Sequence, residues 1–192
     1  KAPLIEKSAL GQVITNKVEE TQPLTDPVTL DTNRVVVLPF KTIGYSEVAS
    51  DMGYGLVSTL TSKLQPLQNL TVIANESALQ FEASKLPPKK IGQALQVGTI
   101  VTGEIQTSGD KIQVNIRVID ANTAALGWGS TFTKMKDEFL DLQNEIATQL
   151  ASELKGGLAD AESQQLATKA TANPKAQLEY QAGRREWNMR SK

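Results

Sequence analysis

The sequence predicts an α/β (mixed α+β) fold: a mixed sheet of about five strands with helices packed on it. Three observations carry this reading. Val35, Val36, Val37 and Leu38 form a β-branched, charge-free block with no polar alternation, the pattern of a strand covered on both faces. A strand, an amphipathic helix and a second strand then follow one another between residues 34 and 74, the order of a right-handed parallel crossover. Residues 99–133 alternate apolar and polar side chains around tight turns, which reads as an antiparallel meander.

Taken in order, residues 1–33 read as an N-terminal linker. Leu10, Ile14 and Val18 recur at helical spacing, and a breaker-rich run from Thr21 to Pro27 follows. The first strand ends at Pro39, which has no N–H to donate. Lys41 to Asp51 reads as a polar loop containing Gly44. Leu56, Leu60 and Leu64, with Val57, mark one face of a helix ended by Pro66. Leu70 to Ala74 is the second strand and Glu76 to Ser84 a helix. Pro87-Pro88 opens another helix, with Ile91 and Leu95 facing inward and Gly98 ending it.

The hairpin from Thr99 to Asp120 gives the strongest local signal. A two-residue turn at Gly109-Asp110 pairs Ser108 with Lys111. Val101, Gly103, Ile105 and Thr107 then share a face with Ile112, Val114, Ile116 and Val118, and a slip of one residue would expose the whole apolar set. Glu104 pairs diagonally with Arg117 on the wet face. After a turn at 121–124, residues 126–133 return as a third strand with Leu126, Trp128 and Phe132 on one face. Asp137 is positioned to cap a long helix whose buried stripe is Phe139, Leu142, Ile146, Leu150 and Leu154, interrupted by Gly156-Gly157. This gives a domain over 34–158, a linker over 159–174 and a further helix from 175 to 192.

Composition narrows the function. The 192 residues carry a net charge of −1 with both signs interspersed, 40% hydrophobic residues, no cysteine and no histidine. Thiol nucleophiles, disulfides, imidazole bases and most zinc or haem ligation are excluded together. No basic cluster points to nucleic acid, and no apolar run approaches the roughly 18 residues of a membrane span. Ser62-Lys63 are sequence neighbours that do not share a helix face, and Gly53-Tyr-Gly55 lacks the Gly-Lys-Ser/Thr of a phosphate loop. Asp120 and Asn122 read as a turn pair, since calcium needs a longer oxygen-rich loop. The reading is therefore non-catalytic, with no metal and no cofactor. The aromatic residues Phe40, Tyr45, Tyr54, Trp128 and Trp187 are the candidates for binding a protein partner.

Several short motifs occur in a familiar order: Val35-Val-Val-Leu-Pro-Phe40, Asp51-Met-Gly-Tyr-Gly-Leu56, Leu70-Thr-Val-Ile73, Val101-Thr-Gly-Glu-Ile105, Val118-Ile-Asp-Ala121, Leu126-Gly-Trp128, Gln143-Asn-Glu-Ile-Ala147 and Tyr180-Gln-Ala-Gly183 with Trp187. Together they resemble the TolB amino-terminal-like domain that precedes tetratricopeptide repeats in bacterial multidomain proteins, joined there to adenylate cyclases, kinases or CadC-like regulators. The resemblance covers about residues 34–190. It implies a TolB N-terminal-like sheet flanked by helices, and a sensory or protein-interaction role beside the repeats. Residues 175–192 would then be the start of the repeat region. It also implies an alternative, a self-assembling envelope component similar to the CsgG and LpoB lipoproteins. Protein partners, self-association among them, and an extracytoplasmic or periplasmic location follow. The chain begins at Lys1, and a membrane tether upstream is expected. One departure stands out: the loop after Pro39-Phe40, commonly acidic and aromatic-rich in the family, is short here and carries only Glu47.

Overall fold

The computed structural model describes residues 29–44, 47–81 and 86–167, with the isolated positions 176, 179, 180 and 183. Six strands form one mixed sheet: β1 Arg34–Val37, β2 Lys41–Ile43, β3 Thr71–Val72, β4 Thr99–Ser108, β5 Lys111–Asp120 and β6 Leu126–Met135. Their order is β3-β1-β4-β5-β6, with β2 pairing the far half of β4. β1 runs parallel to both β3 and β4, completing the expected crossover through α1, Glu47–Leu64. The sixth strand is a correction. Lys41–Ile43 lies within the segment read as a loop, but it pairs in parallel with Glu104, Ile105 and Gln106. α1 also begins earlier than the apolar stripe alone implied.

The β1 block is covered on both faces, as its sequence requires. Val35 and Val37 enter the main core with Met52, Leu56, Leu60 and Leu64 of α1. Val36 and Leu38 enter a smaller second core with Ile91, Val97, Ile100 and Ala121. The hairpin keeps the register set by its two-residue turn, Ser108 opposite Lys111 and Val101 opposite Val118. Its apolar face is closed by α4, Phe139–Lys155, through Phe139, Leu142, Ile146 and Leu150. Each such side chain contributes about 1.5–3 kcal/mol by leaving water.

Three local expectations change. The ladder shifts between Val118 and Ile119, which pair with Trp128 and Leu126 respectively. Gly127 is therefore an extra residue, and Leu126 turns to the opposite face from Trp128 and Phe132, where it is 62% exposed. Asp137 makes no cap. Residues 136–138 form a 3₁₀ turn leading into α4, and the Glu138 carboxylate accepts the Met135 N–H at 3.2 Å. Gly98 does not end the helix α3, Pro88–Leu95; Gln96 does so in the left-handed region with φ 53°. Gly98 serves close approach instead, its N–H donating to the Asp31 carbonyl at 2.8 Å. The helix expected over 76–84 is a short α2, Asn75–Leu79; residues 82–85 lie outside the described residues.

Both flanks read as linkers contribute packed residues. Leu30 is buried, and its backbone N–H and C=O are both bonded by the Asn122 side chain. Asp120 Oδ1 in turn accepts the N–H groups of Asn122 and Thr123, so Asp120 and Asn122 act as a turn device. Residues 160–167 form α5, Asp160–Ala167, whose Leu166 is buried in the main core. Lys63 of α1 donates to the Leu166 carbonyl, and Lys155 of α4 pairs with Glu162. The Lys63 ammonium is pushed below the usual lysine range by burial. Glu162 is held below the usual carboxylate range, mainly by its hydrogen bond from Lys155 and also by the Ala159 N–H.

Two outcomes follow. A Cβ at Gly98 would lie 2.4 Å from the Asp31 carbonyl oxygen, so Gly98→Ala is expected to cost about 1–3 kcal/mol through overpacking, read as a lower urea midpoint. Because the Glu162 carboxyl is depressed on folding, its contribution is present above the unfolded carboxylate range and lost as pH falls through the folded value. The α5 amides are therefore expected to lose protection, read as exchange relative to the intrinsic rate at each pH, as acid protonates Glu162. Glu162→Gln should remove that pH dependence.

Candidate functional site: an open sheet face and its cleft

The sheet has one closed face and one half-open face. α1 and α4 cover the first along its length. Among the described residues, α2 and α3 cover the second at the β1 end, through Ala78 and Ile91. Beyond them the second face is lined by Lys41 and Ile43 of β2, Thr102, Glu104 and Gln106 of β4, and Gln113, Asn115 and Arg117 of β5. Its polar groups are largely paired with one another. Gln106 Nε2 donates to Gln113 Oε1 at 2.7 Å, and Thr131 Oγ1 to Asn115 Oδ1 at 2.7 Å. The Arg117 guanidinium meets Glu104 at 3.1 Å, the diagonal pairing expected from the hairpin register.

A cleft of about 250 Å³ opens where the helices stop. Leu38, Ile100, Ile119, Ile91, Phe81 and Leu86 form its apolar wall, and Lys41, Thr102, Glu104 and Arg117 its polar rim. Two cations and one carboxylate leave the rim net positive. An apolar floor with a few convergent polar groups is the ordinary form of a binding site. Among the described residues no three acidic side chains converge to hold a metal ion. No described helix is long and apolar enough to cross a membrane.

The aromatic candidates lie elsewhere. Phe40 is buried in the main core against Gly103, which places it beyond the reach of a partner. Trp128 is half-buried on β6 and packs on the same core. Tyr54 is half-buried on α1. Tyr45 and Trp187 lie outside the described residues. None of the described three lines the cleft. The cleft residues come from separate segments, each ordinary alone, and Lys41-Thr42-Ile43 is too short to carry a periodic signal.

No family model matches the chain. A Rhizobium meliloti (strain 1021) protein named "Putative adenylate cyclase 3" is 20% identical over 142 residues, 74% of this chain; the chain spans 24% of that protein. In structure the chain is similar to TolB from Acinetobacter baumannii, with TM-score 0.49 and 15% identity, over 69% of this chain and 31% of that one. It is also similar to lipoprotein GNA1162 from Neisseria meningitidis, with TM-score 0.48 and 10% identity, over 66% and 99%. For the LpoB C-terminal domain from Salmonella enterica the values are 0.42 and 10%, over 57% and 87%.

The Glu104–Arg117 pair is half-exposed, at 34% and 47%. Arg117→Ala is therefore expected to cost less than about 1 kcal/mol, and a chemical denaturation curve close to wild type checks it.

Proposed function

We propose that the domain is a non-catalytic, sensory or protein-interaction module of a bacterial multidomain signalling or envelope protein. It binds its partner at the half-open sheet face and cleft, and passes the bound state to tetratricopeptide repeats that follow it. The observation that carries this is the cleft itself: an apolar floor with a net positive rim. An extracytoplasmic location and an upstream tether are part of the proposal, resting on the motif resemblance. The name of the Rhizobium relative supports an effector such as a cyclase joined elsewhere in the full-length protein.

A second reading is a structural envelope component that assembles with copies of itself. Among the described residues no strand pairs with the outer edge of β6, and this favours it.

Site-specific photocrosslinking in the native host tests the first reading. A benzophenone side chain at Thr102 should capture a discrete protein partner that the same group at Lys89, on the outer side of α3, does not. Arg117→Glu should diminish that adduct several-fold. Equal labelling from both positions would remove the cleft as the contact surface. Location is tested by fusing a periplasm-dependent reporter phosphatase after Asn173 of the full-length protein: activity supports an extracytoplasmic domain, and an expressed but inactive fusion refutes it.

A further inference from the structure

We propose that two copies of this chain pair antiparallel along the outer edge of β6, about a two-fold axis near Thr131, so that the sheet continues from one copy into the other. This rests on the second reading above and names its surface; the cleft reading stands apart from it.

The hydrogen-bond phase of the sheet fixes which groups are on offer. A two-residue hairpin makes Ser108 and Lys111 a hydrogen-bonded pair, so alternate residues of β5 bond to β4 and those between them bond to β6. Ile112, Val114 and Ile116 therefore turn their backbone groups to Lys134, Phe132 and Ser130. The Lys136 N–H donating to the Asp110 carbonyl at 2.8 Å keeps the same phase. Gly129, Thr131 and Thr133 then direct their N–H and C=O groups outward, while the Met135 N–H on the same side is taken by the Glu138 carboxylate. Among the described residues no strand pairs with this edge.

The opposite side of the sheet is blunted. β3 has two residues and β2 three, and Pro39 precedes β2. β6 runs for ten residues without proline, and its bulge lies at Gly127, near its start. Its single charge, Lys134, is turned to the helix face, where Glu145 meets it at 3.6 Å. Such a long, weakly charged edge is a template for another strand.

The side chains favour a second copy as that strand. Leu126 and Met135 are 62% and 40% exposed. They stand at the two ends of β6 and, because of the bulge, on the same open face, opposite Ile119 and Lys111. A two-fold axis at Thr131 brings Leu126 of each copy beside Met135 of the other, covering both ends at once. The same register sets Lys134 against the half-buried Trp128 of the second copy, a cation beside an aromatic ring, and opposes no like charges.

Sedimentation velocity on the 192-residue chain over a dilution series tests this. Thr133→Pro removes one outward N–H and leaves the bonds to β5 in place; Thr131→Lys sets two lysines face to face on the axis. The wild type should form a dimer, and each variant, with an unchanged far-UV spectrum, should dissociate at about tenfold higher concentration or more. In this cysteine-free chain, Thr131→Cys should oxidise to a linked dimer and Gln113→Cys should not. A wild type that stays monomeric overturns both the edge and the self-assembly reading. An oligomer indifferent to both β6 variants overturns the edge alone.

Discussion

The ladder along β4 is the constraint on which the rest depends. Its inner side is satisfied for ten residues by β5. Its outer side is shared between β1 and β2, with Val37 opposite Val101 and Lys41 opposite Glu104. Four steps on one strand thus match three on the other, and the extra residue falls at Leu38-Pro39-Phe40. Proline suits that place because it has no N–H to leave unpaired. The bulge reverses the alternation: Phe40, which an unbroken strand would aim at the second face, turns into the main core, and Lys41 turns to the open face beside Glu104. One inserted residue thereby closes the core under α1 and supplies a cation to the cleft rim.

The two faces of the sheet differ because their helices differ in reach. α1 and α4 are 18 and 17 residues long and together span the apolar face. α2 and α3 have five and eight residues, enough to cover β1 and the start of β4 and no more. What remains of the second face carries two bonded side-chain pairs and one ion pair, beside the Lys41 ammonium at the cleft rim. Burying it against a partner would keep those three pairs satisfied, while the Lys41 ammonium calls for an acceptor on the partner.

Where the sequence predicted well, a period and a turn acted together. Two-residue alternation plus a two-residue turn set the 99–120 register, since any slip exposes an apolar face. Where it misled, a single residue broke the period: Gly127 reverses Leu126, and the bulge near Pro39 hid a three-residue strand too short to have a periodicity. Gly98 looked like a helix stop by type, yet its need is steric, a neighbouring backbone 67 residues away in sequence (Gly98 minus Asp31). The site was harder still. Choosing aromatic residues selected by type rather than exposure, and Phe40 belongs to the core. The cleft exists only once five separated segments are folded together.

Coupling a bound state to whatever follows the domain requires an element with two arrangements that binding can bias. The long helix α4 is a poor candidate, because its stripe from Phe139 to Ala151 is wholly buried and a packed core does not deform gradually. α5 differs. Leu166 is its buried apolar side chain, and its polar attachments include Lys63 to a carbonyl at the end of α5 and Lys155 to Glu162 near its start. Those attachments reach back to α1 and α4, the two helices that lie on the closed face beneath the cleft strands. A short helix with little buried apolar surface belongs to the low-stability end of a fold. It also closes the continuously described residues at Ala167, so under the proposed coupling a bias of the sheet carried along the chain would pass through it.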